Sequence, residues 1–185
     1  MKTTDTELAS AAAGGDRDAF SALLARHYDS LFRVCFRLSG SRPLAEDLTQ
    51  DICLALPAKL RGYRAEAKFT TWLYRVVANL CTDWLRKARG QDLESVPEPE
   101  DDAPGAEAGL QQAARAQALE DALRALPDRQ RQAVILRHLE GFTNPEIAEV
   151  MDIGVEAVES LTARGKRALA ASLGGRRAEL GYEDG

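Results

Sequence analysis

Aromatic residues make up only 6% of the 185-residue chain, and stretches in which β-branched and polar residues alternate are nearly absent. Without that alternation there is little from which to build a half-buried sheet. The sequence shows no basic–apolar leader pattern, and no apolar run approaches the ~18 residues that a membrane span requires. These absences predict a protein that does not insert into membranes and stays in a reducing cytoplasm. Cys35, Cys53 and Cys81 form no CxxC pair and lie among apolar neighbours in helical patterns. They read first as small buried hydrophobes, with a redox or metal role as the alternative. His27 and His138 are too far apart to assemble a zinc site. The sequence has no Gly-rich phosphate loop, no paired carboxylates spaced for acid–base work, and no Ser, His or Cys pattern suited to a nucleophile. The chain is therefore expected to perform no covalent chemistry and to need no metal or cofactor.

What is present is helical: Ala, Leu, Arg and Glu dominate, which predicts an all-α fold. The net charge of −5 hides a strong segregation. Residues 1–90 carry fourteen basic and ten acidic side chains, whereas residues 113–173 carry eight and nine. Between them, residues 91–112 (QDLESVPEPEDDAPGAEAGLQQ) hold seven Asp/Glu and no Lys or Arg. This composition predicts two small helical domains, 1–90 and 113–173, joined by a flexible acidic linker, with residues 174–185 as a frayed tail. The first domain is free to meet a polyanion that the linker avoids.

Three helices are predicted in the first domain. One follows Asp16, keeps Phe20, Leu23, Leu24, His27, Leu31 and Cys35 to one broad face, and ends at Gly40. The next starts at Ser41-Arg42-Pro43 and buries Leu44, Leu48, Ile52 and Leu56, leaving Glu46, Asp47, Gln50 and Asp51 on the remainder. Pro57 is expected to kink or end it. The third is capped by Thr70 or Thr71 and pairs Trp72/Leu73, Val76/Val77, Leu80/Cys81 and Trp84/Leu85 at four-residue steps. Arg86, Lys87 and Arg89 close it. Arg64 and Lys68 flank the preceding loop beside Tyr63 and Phe69, and rings interleaved with cations suit single-stranded nucleic acid. Core packing is the competing reading for Trp72 and Trp84, and complementing the helix dipole is the competing reading for the terminal cations.

In the second domain, a helix over 113–126 is followed by one over Asp128–Glu140, with Gly141 as its stop. Thr143 and Glu146 form a capping box around Pro145, and Phe142 is placed to staple onto Ile147. Asp152-Ile153-Gly154 makes a turn, and a last helix begins near Val155. Its outer face gathers Glu156, Ala157, Glu159, Ser160, Arg164 and Lys166, with Arg167 beside them. The order cap, small residue, turn and apolar helix is a helix-turn-helix signature that points to duplex DNA, against the alternative of a hairpin that only packs.

Four ordered stretches resemble the extracytoplasmic-function (group IV) sigma factors of bacterial RNA polymerase. They are FSALLARHYDSLFRVCFRLSG (20–40), RPLAEDLTQDICLAL (42–56), FTTWLYRVVANLCTDWLRKAR (69–89) and the segment 122–169. The resemblance implies a promoter-specificity subunit, not an enzyme, that binds core RNA polymerase and starts transcription of a stress or signal-response regulon. Glu46, Asp47, Gln50 and Asp51 would meet the clamp helices of the largest polymerase subunit. Arg64, Lys68, Asn79, Asp83, Trp84, Arg86 and Lys87 would hold the −10 element. Thr143, Glu156, Ala157, Ser160, Arg164, Lys166 and Arg167 would engage the −35 element, beside the polymerase flap. A cognate anti-sigma factor is the implied regulator. Two other readings are a conventional helix-turn-helix regulator that acts without polymerase and a helical protein–protein adaptor. The chain departs from the family pattern at Pro57, where an aromatic is usual, and at Glu159, where a basic residue is usual. It also departs in the turn Met151–Gly154 and in Arg164-Gly165-Lys166, which replaces arginine–alanine–arginine.

Overall fold

Three helix starts in this protein fall where a side chain satisfies free backbone groups: Thr4, Asp16 and Thr143. The structure, a computed structural model, describes residues 3–90 and 107–174, and these are all-α. No helix is predicted ahead of Asp16, yet α1 (Asp5–Ala13) forms on a capping box. The Thr4 hydroxyl accepts from the Glu7 N–H at 3.3 Å, and the Glu7 carboxylate accepts from the Thr4 N–H at 2.7 Å. α2 (Arg17–Ser39) starts where Asp16 accepts from the Asp18 and Ala19 N–H groups, and stops at Gly40 in the left-handed conformation, φ 71°.

α3 (Arg42–Leu60) begins as expected, although the Ser41 side chain makes no capping bond. Pro57 does not end it. The helix runs on to Leu60, because Leu56 and Leu60 on either side of the proline are both buried in the core. α4 (Phe69–Gly90) starts ahead of the two threonines expected to cap it. Its first bond runs from the Trp72 N–H to the Lys68 carbonyl, so Lys68 holds the capping position and Thr71 is buried within the first turn.

α5 (Glu107–Arg124) reaches back into the stretch expected to be linker, so residues 107–112 are helical. The rest of that linker and the tail beyond Gly174 lie outside the described residues. α6 (Asp128–Val134) passes into a π-helical turn, Ile135–Leu139, in which the Glu140 N–H donates to the Ile135 carbonyl at 3.0 Å. α7 (Asn144–Met151) and α8 (Val155–Gly174) complete the chain order.

The helices form two clusters, α1–α4 and α5–α8. Leu23, Leu31, Leu48, Ile52, Leu60, Leu73 and Val77 fill the first; Leu123, Val134, Ile147, Val150 and Val158 fill the second. Each such side chain, fully buried, contributes about 1.5–3 kcal/mol. Cys35 and Cys81 are buried free thiols, and the Cys35 thiol, together with burial, pushes the neighbouring Cys81 thiol up. Cys53 is half-buried and also free. Among the described residues, no helix is long and apolar enough to cross a membrane.

Candidate nucleic-acid interface

Helical spacing brings Glu46, Asp47, Gln50 and Asp51 onto one exposed side of α3, because Ala45, Leu48, Thr49 and Ile52 are buried on the other. Glu46 pairs with Arg42 at 3.2 Å. The result is a solvated acceptor surface with its cation confined to one end.

Along α4, the buried row Leu73, Val77 and Cys81 turns Asn79, Asp83, Arg86 and Lys87 outward, all exposed, with Trp84 half-buried beside them. Arg86 and Asp83 pair at 2.9 Å. Arg64 and Lys68 are exposed in the preceding loop. The aromatic residues flanking them behave otherwise than the composition of the loop predicts. Tyr63 and Phe69 are buried, 8% and 3% exposed, with ring centroids 5.8 Å apart in an edge contact. Trp72 packs against both. This ring cluster anchors the loop to α4 and leaves no open face on Tyr63 or Phe69; Trp72 and Trp84 are both half-buried on that helix.

Thr143 and Glu146 form the expected capping box at the start of α7: the Glu146 N–H donates to the Thr143 hydroxyl at 3.4 Å, and the Glu146 carboxylate accepts from the Thr143 N–H at 2.9 Å. The same carboxylate accepts from Lys68 Nζ at 2.8 Å. Lys68 and then Thr143 hold the Glu146 carboxyl down at about 2. In the turn, Asp152 takes the left-handed conformation (φ 52°), and Gly154 does not. On α8, Glu156, Ala157, Arg164 and Arg167 are exposed with Ser160 half-buried, and Arg164 donates to the Ser160 hydroxyl at 2.6 Å. Lys166 is exposed as well but stands on another side. It lines an apolar cavity of about 190 Å³ with Leu119, Leu123, His138 and Leu139, and its charge helps to hold the His138 imidazole below its ordinary value, after burial.

The two clusters meet. Glu140 accepts from the Tyr74 hydroxyl at 2.7 Å and from Arg37 at 3.2 Å, and Arg37 also lies 3.6 Å from Glu120. The buried Arg131 guanidinium donates to the Leu38 carbonyl at 2.7 Å. Burial, and then Glu140, push the Tyr74 phenol far above its ordinary value. None of these pairs carries a signal in one sequence, because each joins residues far apart along the chain.

A helix, a three-residue turn and an exposed second helix, set beside a separate helical cluster with its own polar faces, define a two-part helical DNA-binding protein. The family model for sigma-70 region 2 matches residues 23–91, and that for sigma-70 region 4 matches residues 116–169. The chain is 33% identical over 171 residues to the ECF RNA polymerase sigma factor SigM of Mycobacterium tuberculosis, covering 92% of this chain and 85% of SigM. It is 26% identical over 166 residues to SigW of Bacillus subtilis, covering 84% and 89%. A solved structure of CnrH in complex with the cytosolic domain of CnrY aligns with TM-score 0.71 at 26% identity, covering 92% of this chain and 97% of that one. RpoE of Bartonella quintana, solved with the anti-sigma factor NepR, shares the fold at TM-score 0.68 and 24% identity, covering 83% and 96%. The chain belongs to the ECF sigma factors of the sigma-70 family, non-catalytic subunits that bind core RNA polymerase and initiate transcription. The regulator and adaptor readings leave the region 2 match unexplained.

Proposed function

We propose that the promoter-recognition work is divided among the three exposed polar faces. The α3 face, Glu46, Asp47, Gln50 and Asp51, docks on the clamp helices of the polymerase. Asn79, Asp83, Trp84, Arg86 and Lys87 of α4, with Arg64 and Lys68 of its loop, hold the unpaired −10 strand. There the Asn79 amide meets a base edge and the cations hold the backbone, which offsets part of the cost of unpairing. On the second cluster, Glu156, Ala157, Ser160, Arg164 and Arg167 enter the −35 major groove. Glu156 supplies an acceptor for a cytosine amino group, and the arginines neutralise phosphates. Thr143 closes the capping box and serves that face by fixing the start of α7. Lys166 borders it from the His138 side, and the π-helical turn lies toward the flap.

The observation that carries this reading is the exposure of most of these side chains, with Trp84 and Ser160 half-buried among them, on helices whose opposite faces are buried. An anti-sigma factor that covers either cluster would silence both, and a solved relative of this fold was captured with such a partner. Working with polymerase places the chain in the cytoplasm. The test is reconstitution with core polymerase, followed by mapping of transcript starts. New starts with shared upstream elements are the expected result; co-elution without them would leave a polymerase-binding protein of another kind.

A further inference from the structure

We propose that His27 is a positioning residue for the −10 strand: Asp5 of α1 holds its imidazole, and the imidazole in turn holds Phe69 at the root of the loop that carries Arg64 and Lys68. The proposal rests on the assignment of that loop to the −10 strand above. The sigma-70 region 2 match begins at residue 23, so α1 lies ahead of it and has no task in that match. Asp5 stands in the first turn of α1, a helix whose Leu8 and Ala9 are buried in the core. Arg26 pins the same turn, donating to the Asp5 carboxylate at 2.9 Å and to the Thr3 carbonyl at 2.7 Å.

His27 Nε2 lies 2.8 Å from Asp5 Oδ2. A carboxylate only accepts, so Nε2 carries the hydrogen and donates it. That bond sets the imidazole, whose outer torsion otherwise has two broad settings. The ring so held stands 5.4 Å from Phe69 at 56°, a tilted contact in the range that aromatic pairs favour. Phe69 passes the constraint on, because its ring centroid is 5.8 Å from Tyr63 and 5.7 Å from Trp72. The Tyr63 hydroxyl donates to the Ala67 carbonyl at 3.3 Å and closes the loop on itself. Residues 64–68, all exposed, are thus strung between two fixed rings, and His27 is the stop behind one of them. With a side chain only 15% exposed, His27 acts through Phe69 and not on the strand. A loop already held in its binding geometry has less to order when the strand arrives. Where only a fraction of loops hold that geometry, apparent affinity falls by that fraction.

Four variants of the full-length chain, each assembled with core polymerase, separate the parts. Asp5→Ala releases the imidazole. His27→Gln keeps a donor for Asp5 but removes the ring, and His27→Phe keeps a ring but frees it from α1. Asp5→Asn keeps an acceptor for Nε2 while weakening the ion pair with Arg26. The probe is a single-stranded oligonucleotide carrying the −10 segment of a promoter mapped with this polymerase. Asp5→Ala, His27→Gln and His27→Phe should each bind it about fivefold more weakly, as when the competent fraction of loops falls to about one fifth. Hydrogen exchange over residues 61–68 should quicken in the same three variants. Asp5→Asn should match wild type in both readouts, and all four should keep wild-type affinity for core polymerase. Wild-type capture by all three weakened variants overturns the positioning role. So does a loss of capture matched by an equal loss of polymerase affinity, or an Asp5→Asn variant as weak as Asp5→Ala, since these report general destabilisation or the Arg26 pair. A wild-type chain that binds polymerase but captures no −10 strand overturns the −10 reading itself, and this role with it.

Discussion

Gly165 of α8 lies against Val134 of α6 so closely that a methyl added at Gly165 would stand 2.5 Å from Val134 Cγ2 and 3.3 Å from the Gln130 carbonyl oxygen. The glycine that departs from the family's arginine–alanine–arginine pattern is therefore a packing device: it lets α8 settle onto α6. Gly165→Ala gains helix propensity of about 1 kcal/mol but overpacks the crossing by about 1–3 kcal/mol. The expected outcome is net destabilisation of the α5–α8 cluster by about 1 kcal/mol, read from urea unfolding. A variant more stable than wild type would show that the two helices do not approach this closely.

Glu146 supports both the α7 capping box and the Lys68 contact, and its carboxyl sits at about 2 against an ordinary 4.5. A carboxyl depressed by folding stabilises fully above its unfolded value and loses that contribution as pH falls through the folded one. The stabilisation should be intact above pH ~4.5 and vanish toward pH ~2. Thermal melting of wild type should thus fall more steeply between pH 5 and pH 2 than that of Glu146→Gln. Parallel curves would mean that the carboxylate is not the group holding this junction.

Local signals were legible and nonlocal ones were not. Asp16, Gly40 and the Thr143–Glu146 box set helix ends through bonds to neighbours two to four residues away, so their positions could be read directly. Thr4 and Glu7 carry the same pattern, and the signal for α1 was there to be read. Pro57 obeys a local rule that packing overrides: burial of Leu60 keeps the helix going past a missing hydrogen bond. Tyr63 and Phe69 have two chemically equal fates, stacking on a base or on each other, and only the fold of the loop decides between them. The Arg37–Glu140 pair bridges 103 residues, beyond any periodicity.

Asp47 sits at the centre of the exposed acceptor face of α3, with the neighbouring Ala45 and Leu48 buried beneath it. Asp47→Lys should weaken binding to core polymerase at least tenfold while leaving helix content and melting temperature within the small range usual for surface substitutions. Titration of labelled polymerase measures the first, and circular dichroism the second. Unchanged polymerase affinity would remove this face from the polymerase contact.

Arg164 and Lys166 are two residues apart but point to different sides of α8, one bonded to Ser160 and the other beside His138. Arg164→Ala should weaken binding to a −35 duplex and reduce the slope of log affinity against log salt by about 0.9, as expected when one fewer phosphate is neutralised. Lys166→Ala should change that slope by less. Equal behaviour of both variants and wild type at low and high salt would assign the basic face to another task.

Asn79 is exposed in the middle of α4, one turn before the Asp83–Arg86 pair and with Lys87 beyond it. An amide there can read a base edge, while Arg86 and Lys87 act on any sequence through the backbone. Asn79→Ala should slow opening of a duplex promoter and weaken capture of a −10 single strand about tenfold, with polymerase affinity unchanged. Arg86→Ala with Lys87→Ala should instead lower affinity across many sequences and flatten the salt dependence. A fluorescent base analogue in the −10 segment follows opening directly and separates the two behaviours. Normal opening by the Asn79 variant, together with failure to bind polymerase, would move this side of α4 from the DNA to the protein partner. Failure of single-strand capture with polymerase binding intact would place the selective contact at Asn79 and the sequence-independent grip at Arg86 and Lys87.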